Sequence, residues 1–253
     1  MNRLTIAPAS LKRPARQAVK ARQPQFKKDR PAPPHCLLAP ESYEPNYAYP
    51  LVVWLHSTGG SERELRQVMP LVSLRNYASV AIRGPAACQS GYDWPQTKDA
   101  IAAAEARVAD AVTRAQSRFH IHHDRIYLAG YEAGGTMAVR LALRNPQQYA
   151  GGISLNGAFP VEHAPLARLM QVRQSRILIA HCRDSQTYTT DRVCQELALF
   201  HAAGLSVTLR QYPCEDELTT QMLSDMDAWL MEQVTGVRTT DVLEPAPLPR
   251  EWN

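Results

Sequence analysis

The sequence predicts an α/β fold, with a mostly parallel central sheet and helices on both faces. Three observations predict it. Strand-length apolar runs alternate with helix-length segments along most of the chain, the order that gives parallel strands joined by helical crossovers. Leu51–His56 is almost continuously apolar, as a strand buried on both faces must be. Lys98–Arg118 carries apolar residues at Ile101, Ala104, Val108, Ala111, Val112 and Ala115, close to the helical period.

In order, His35–Ala39 reads as a short first strand and Leu51–His56 as the second. Glu62–Leu74 reads as a helix and Ala78–Ile82 as the next strand. The long helix Lys98–Arg118 precedes a strand at Arg125–Ala129. Gly134–Arg144 is a helix stopped by Asn145-Pro146, because the residue before a proline is pushed out of helical geometry. Gly152–Leu155 and Arg176–Ala180 are strands. Thr189–Ala203 is a helix whose C-cap is Gly204. Ser206–Gln211 is a strand, and Leu218–Val234 a final amphipathic helix. No internal repeat is present. Gly84–Thr97 is one long irregular stretch, expected over the sheet's C-terminal edge, where open α/β sheets bind ligands.

The 253 residues suffice for one large domain, placed at 35–236. The longest apolar runs are strand-sized and far short of the roughly 18 residues of a membrane span. No apolar run follows the basic N-terminal residues, so no secretory signal is expected. Cys36, Cys88, Cys182, Cys194 and Cys214 are odd in number and lack metal-type spacing. Free thiols in a reducing, cytoplasmic setting are expected.

The net charge of +4 conceals an asymmetry. Residues 1–34 hold nine Lys and Arg against Asp29 alone, a net of +8, which leaves −4 for the remainder. Six prolines share that segment, and few large apolar residues do. It is expected to be disordered, since it cannot bury enough surface to offset its ordering entropy. It is either a solvated extension or a basic arm that contacts an acidic partner. Residues 237–253, with Glu244-Pro-Ala-Pro-Leu-Pro249, read as a Pro-rich C-terminal tail. The net-acidic domain lacks a basic aromatic surface pattern, so nucleic acid is not an expected partner.

The most informative segment is Arg125–Thr136. A strand, a glycine-rich corner and a helix follow one another, the context of a nucleophile elbow. The sharp turn strains its middle residue, and flanking glycines let strand and helix approach closely. The elbow pattern is G-x-S-x-G. Here it reads Gly130-Tyr131-Glu132-Ala133-Gly134, with Glu132 in the serine slot.

Together with three further segments, this corner resembles the phospholipase/carboxylesterase branch of α/β-hydrolases, over about residues 35–235. Val53-Trp-Leu-His56-Ser-Thr-Gly-Gly-Ser61 resembles the H-G-x-G-G oxyanion loop, with Ser57 where glycine is usual. Arg83-Gly-Pro85 and Gly91-Tyr-Asp-Trp94-Pro resemble the loop that lines the acyl pocket. Gly151–Phe159 resembles the strand that ends in a small-residue turn. The resemblance implies an acid in an H-G-x-x-D pattern. His181-Cys182-Arg183-Asp184-Ser185 puts Ser185 in that slot, with Asp184 one residue early. It also implies a histidine in Y-P-G-G-H. Tyr212-Pro213-Cys214-Glu215-Asp216 puts Asp216 there. All three triad positions are therefore changed. The oxyanion donors it implies are the Thr58 and Ala133 N–H groups.

Acyl-enzyme hydrolysis needs a nucleophile, a base of near-neutral pKa and an orienter for that base. Glu132 and Asp216 supply none of this, because an Asp titrating at about 4 is a poor base at neutral pH. The serine mechanism is expected to be absent, with Glu132 ionised and hydrogen-bonded into the empty anion site. The scaffold would then bind a small acyl or ester-like ligand between Thr58, Trp94, Glu132, Phe159 and Asp216, with His56 and Tyr131 beside it. Trp94, Tyr131 and Phe159 fit loop core equally well. Two alternatives stand. One is hydrolysis by Ser57, Ser61, Ser185 or Cys214 with His56 or His181 as base, against which these histidines read as structural and Cys182 and Cys214 as apolar fillers. The other is a metal held by Glu132 and Asp216 with Asp184, Glu215, His56 or His181 nearby; Glu215 and Glu217 read equally as solvated acids. No cofactor is expected. His122-His123, ahead of Asp124, reads as a surface helix-to-strand loop.

Overall fold

The computed structural model of the protein describes residues 33–237. The basic segment 1–34 and the Pro-rich segment 237–253 lie outside the described residues, apart from Pro33, Pro34 and Val237. Among the described residues nine strands form: β1 (His35–Leu38), β2 (Tyr49–Leu55), β3 (Ala78–Ile82), β4 (Ala86–Cys88), β5 (Gly91–Asp93), β6 (Ile121–Tyr131), β7 (Gly151–Leu155), β8 (Arg176–Cys182) and β9 (Ser206–Tyr212). The helices are α1 (Leu65–Val72), α2 (Lys98–Arg118), α3 (Ala133–Arg144), α4 (Leu169–Val172), α5 (Thr190–Ala203) and α6 (Thr220–Thr235).

Seven strands make one sheet in the order β1-β3-β2-β6-β7-β8-β9, with β1 antiparallel and every other pairing parallel. Val53 pairs with Val80 on one edge and Leu128 on the other, and every residue of β2 is buried, which explains its apolar run. Alternate residues feed opposite faces. Val52, Trp54, Ala129 and Leu155 pack with Val68 of α1 and Met226 of α6. Leu51, Val53 and Leu128 pack with Val108 of α2 and Leu141 of α3. Ile177 and Ile179 pack with Val193 and Phe200 of α5. Each such Leu, Ile or Val contributes about 1.5–3 kcal/mol when fully buried. Helices therefore cover both faces, in agreement with the fold class read from the sequence. Among the described residues no helix is long and apolar enough to cross a membrane.

Several elements differ from the sequence reading. The expected helix Glu62–Leu74 is a 3-10 turn, Glu62–Glu64, followed by α1. The short helix α4 was not read. The stretch Gly84–Thr97 contains the β4–β5 hairpin, bonded to the 56–61 loop by Gly59 N–H to Tyr92 O at 2.9 Å and Tyr92 N–H to Gly60 O at 3.0 Å. Arg83 clamps this hairpin. Its guanidinium donates twice to Glu62 at 2.8 Å and once to the Tyr92 hydroxyl, and it stacks 4.5 Å above the Tyr92 ring. His122 and His123 lie inside β6, not in a connecting loop. The strand bulges there: Tyr49 pairs with Ile121, but Leu51 pairs with Ile126.

Parallel strands gather their C-terminal ends at one edge. β6 is fourth of seven, so the β6–α3 corner sits at the middle of that edge. The ends of β2, β7, β8 and β9 bring the 56–61, 156–157, 183–188 and 213–217 segments alongside it.

Candidate functional site at the strand-to-helix corner

Glu132 occupies the apex of the corner with φ of +50° and ψ of −121°. A non-glycine residue rarely adopts this geometry, and it costs about 1–3 kcal/mol. The surroundings impose it. Glu132 N–H donates to Leu155 O at 2.9 Å, and Glu132 O accepts from Thr136 N–H at 3.0 Å. α3 begins at Ala133 directly behind the apex.

The Glu132 carboxylate turns toward the 56–61 loop, where Oε2 accepts from Thr58 N–H at 3.3 Å. Burial pushes this carboxyl above its ordinary value. Hydrogen bonding to Thr58 opposes the rise, while the negative Asp216 and Glu64 add to it. The native chain therefore holds this proton more tightly than the unfolded chain. Stability from this group is greatest below the unfolded value of about 4.3, and falls as pH rises through the raised native value. We expect Glu132→Gln to flatten that fall. Melting temperatures of the native chain and of the variant, taken from pH 4 to 8, check it; parallel curves contradict it.

The loop bearing Thr58 is held from below by carboxylate and indole groups. Glu64 accepts from Trp54 Nε1 at 2.8 Å, from Ser57 Oγ at 2.7 Å and from Ser57 N–H. His56 is wholly buried. Its Nδ1 faces Ser57 O at 2.7 Å and its Nε2 accepts from Gly84 N–H at 2.9 Å, which fixes the neutral Nδ1–H form. Burial lowers its pKa, against the Ser57 carbonyl and the nearby carboxylates. Trp94 Nε1 donates to His56 O at 2.9 Å.

On the other side, Asp216 Oδ1 accepts from Ser185 Oγ, from Asn156 Nδ2 at 2.8 Å and from Thr187 Oγ1 at 2.9 Å, and Oδ2 accepts from Gln186 N–H at 3.2 Å. Burial works against ionisation here. The four donors outweigh it, so the Asp216 carboxyl lies below its ordinary value. The residues read into the acid and histidine slots are thus in direct contact.

The remaining candidates are engaged elsewhere. His181 is wholly buried, with Nε2 on Tyr188 O at 2.8 Å and Nδ1 accepting from Gln211 Nε2 at 3.3 Å. Ser57 donates to Glu64, Ser61 accepts from Arg63 N–H, and Asp184 pairs with Arg183 at 2.9 Å on the surface. Glu215 and Glu217 are exposed. Trp94 and Phe159 are 1% exposed and Tyr131 7%, each in a different core cluster, so burial places them on the core side of the two readings the sequence left open. The Tyr131 hydroxyl is buried without a hydrogen-bond partner. Among the described residues, the one group of three His, Cys, Asp or Glu side chains close enough to share a metal ion is His122, His123 and Asp124, at the opposite edge of the sheet. Glu132 and Asp216 belong to no such group.

Sequence reasoning missed Glu64, Asn156, Gln186 and Thr187. Asn156 stood in the small-residue turn after β7. Glu64 ends the 3-10 turn directly after the loop it holds and belongs to no motif that marks it.

The chain matches the family model described as phospholipase/carboxylesterase over residues 90–233. A putative esterase, NocK, of Nocardia uniformis subsp. tsuyamanensis is 31% identical over 118 residues, which are 44% of this chain and 33% of that protein. The chain thus spans a third of NocK. A probable carboxylesterase, SOBER1-like, of Arabidopsis thaliana is 19% identical over 72% of this chain and 78% of its own. Among solved structures, a carboxylesterase from Mesorhizobium loti superposes with a TM-score of 0.62 at 22% identity, covering 72% of this chain and 88% of that one, a likeness of fold. With that match over more than half its length, the elbow geometry at Glu132 and the parallel seven-stranded sheet, this chain belongs to the phospholipase/carboxylesterase family of α/β-hydrolases.

Proposed function

We propose that this family member has no serine-esterase mechanism and binds a neutral small acyl or ester-like ligand at the strand-to-helix corner on its sheet edge. The observation that carries the reading is the Glu132 carboxylate at the elbow apex, on the Thr58 amide. An oxyanion forming in acyl transfer needs that donor, and here a carboxylate of the chain itself engages it. The Asp216 carboxylate near Glu132, held ionised by its four donors, repels an anionic ligand and favours neutral molecules at this corner. Engagement of both ring nitrogens of His56 and His181 supports the absence of a general base.

A fluorophosphonate probe, which esterifies activated serines, tests the mechanistic half. We expect no mass adduct on the intact chain under conditions that fully label an active carboxylesterase. An adduct on Ser57, Ser61 or Ser185 would overturn the reading. Thermal shift tests the ligand half: a short-chain methyl ester is expected to raise the melting temperature and its free carboxylate is not. Equal response to both, or to neither, would contradict it.

A further inference from the structure

Cys182 ends β8, and Cys214 lies two residues beyond β9, which pairs with β8 through Cys182 and Tyr212. Both thiols are buried, and their Sγ atoms lie 2.8 Å apart. The backbone brings the two segments together as well: Arg183 N–H donates to Tyr212 O at 2.8 Å and Asp184 N–H to Cys214 O at 3.0 Å. A disulfide needs about 2.05 Å between sulfurs, so closing the pair asks for less than an ångström of further approach. Cys36, Cys88 and Cys194 make no comparable sulfur contact among the described residues.

We propose that Cys182 and Cys214 are a redox pair that forms an intramolecular disulfide in the presence of a low-molecular-weight disulfide such as oxidised glutathione. One thiol, as its thiolate, attacks a sulfur of the oxidant and releases one glutathione thiolate. The partner thiolate attacks the resulting mixed disulfide and releases the second. The pair loses two electrons and two protons, and the oxidant becomes two thiols. Burial holds the Cys182 thiol well above its usual range, so the reaction is slow in the folded chain and faster while the chain folds.

The bond has a place to act. Asn156 Oδ1 accepts from Cys182 N–H at 3.2 Å, and Asn156 Nδ2 donates to Asp216, two residues after Cys214. A covalent tie between Cys182 and Cys214 therefore fixes the two segments that carry Ser185 and Asp216. It closes a loop of roughly 30 residues, which restricts the unfolded chain.

The full chain is refolded in a buffer of reduced and oxidised glutathione, quenched with an alkylating agent and digested with trypsin without reduction. We expect Ile177–Arg183 and Gln211–Arg238 as one linked species, two hydrogens lighter than the two peptides together. The melting temperature should rise by about 5–10 °C over the reduced chain, and the rise should vanish in Cys214→Ser. The mass readout needs no variant, so it holds even if that variant folds poorly. Cys182 and Cys214 both recovered fully alkylated, or linked to Cys36, Cys88 or Cys194 instead of to each other, would overturn the proposal.

Discussion

Gly134→Ala is expected to destabilise the domain by more than about 4 kcal/mol. Gly134 is the second residue of α3, where the helix leaves the elbow against the end of β2. A Cβ added there would lie 2.2 Å from Leu55 O and 2.3 Å from His56 O. Both are backbone atoms, so no side chain can rotate away, and β2 is locked on both sides by its ladders with β3 and β6. Relief requires moving the helix off the sheet. Displacements of that kind belong to the class that costs more than about 4 kcal/mol. A domain of this type has about 5–15 kcal/mol in total. Urea denaturation of the purified variant measures it, with loss of soluble protein as the extreme case. A variant within about 1 kcal/mol of the native chain would mean that helix and strand are not packed as described.

Trp94→Ala is expected to lower stability by about 3–5 kcal/mol, which is about 6–20 °C in melting temperature for a domain of this size. Trp94 is 1% exposed, packs within the cluster of α2 and α3, and lies 5.0 Å from the His56 ring between centroids. Truncation leaves a cavity and removes the donor to His56 O, a buried carbonyl. The loss spreads to the site, because His56 directly precedes the loop whose Thr58 amide meets Glu132. Trp94→Phe keeps most of the ring packing and forfeits the hydrogen bond, so about 1–3 kcal/mol is expected from it. Differential scanning calorimetry of both variants separates the terms. An unchanged melting temperature in Trp94→Ala, with only ligand binding lost, would make the side chain a pocket wall and contradict its place in the core.

The parallel sheet was legible because its signal is local and repeated. Strands buried on both faces must be apolar throughout, and Leu51–Leu55 and Ile177–Ala180 show this without help from the rest of the chain. The elbow was legible because strand, glycine-rich corner and helix follow one another within a dozen residues, and Glu132 indeed takes the positive φ that such a corner imposes. The β4–β5 hairpin was not legible. Its strands are three residues each, and the 56–61 loop stabilises them by contacts that no local pattern encodes. The start of β6 was missed for a related reason: a bulge breaks the alternation at His122–Asp124. At the site, Ser185 donates to Asp216 and the Thr58 amide to Glu132. The upward shift of the Glu132 carboxyl was not legible, because it depends on burial and on Asp216 and Glu64, which are distant in sequence. Spacing finds which residues meet. The dielectric around them is a property of the packed molecule.

Absence of acyl transfer at the Glu132 corner is tested most directly by steady-state hydrolysis of p-nitrophenyl butyrate by the purified native chain, with Glu132→Ala assayed alongside. A chain without nucleophile or base should release p-nitrophenol at the background rate at every pH from 6 to 9, and the variant should do no better. Saturable release by the native chain that Glu132→Ala abolishes would show that this corner performs chemistry.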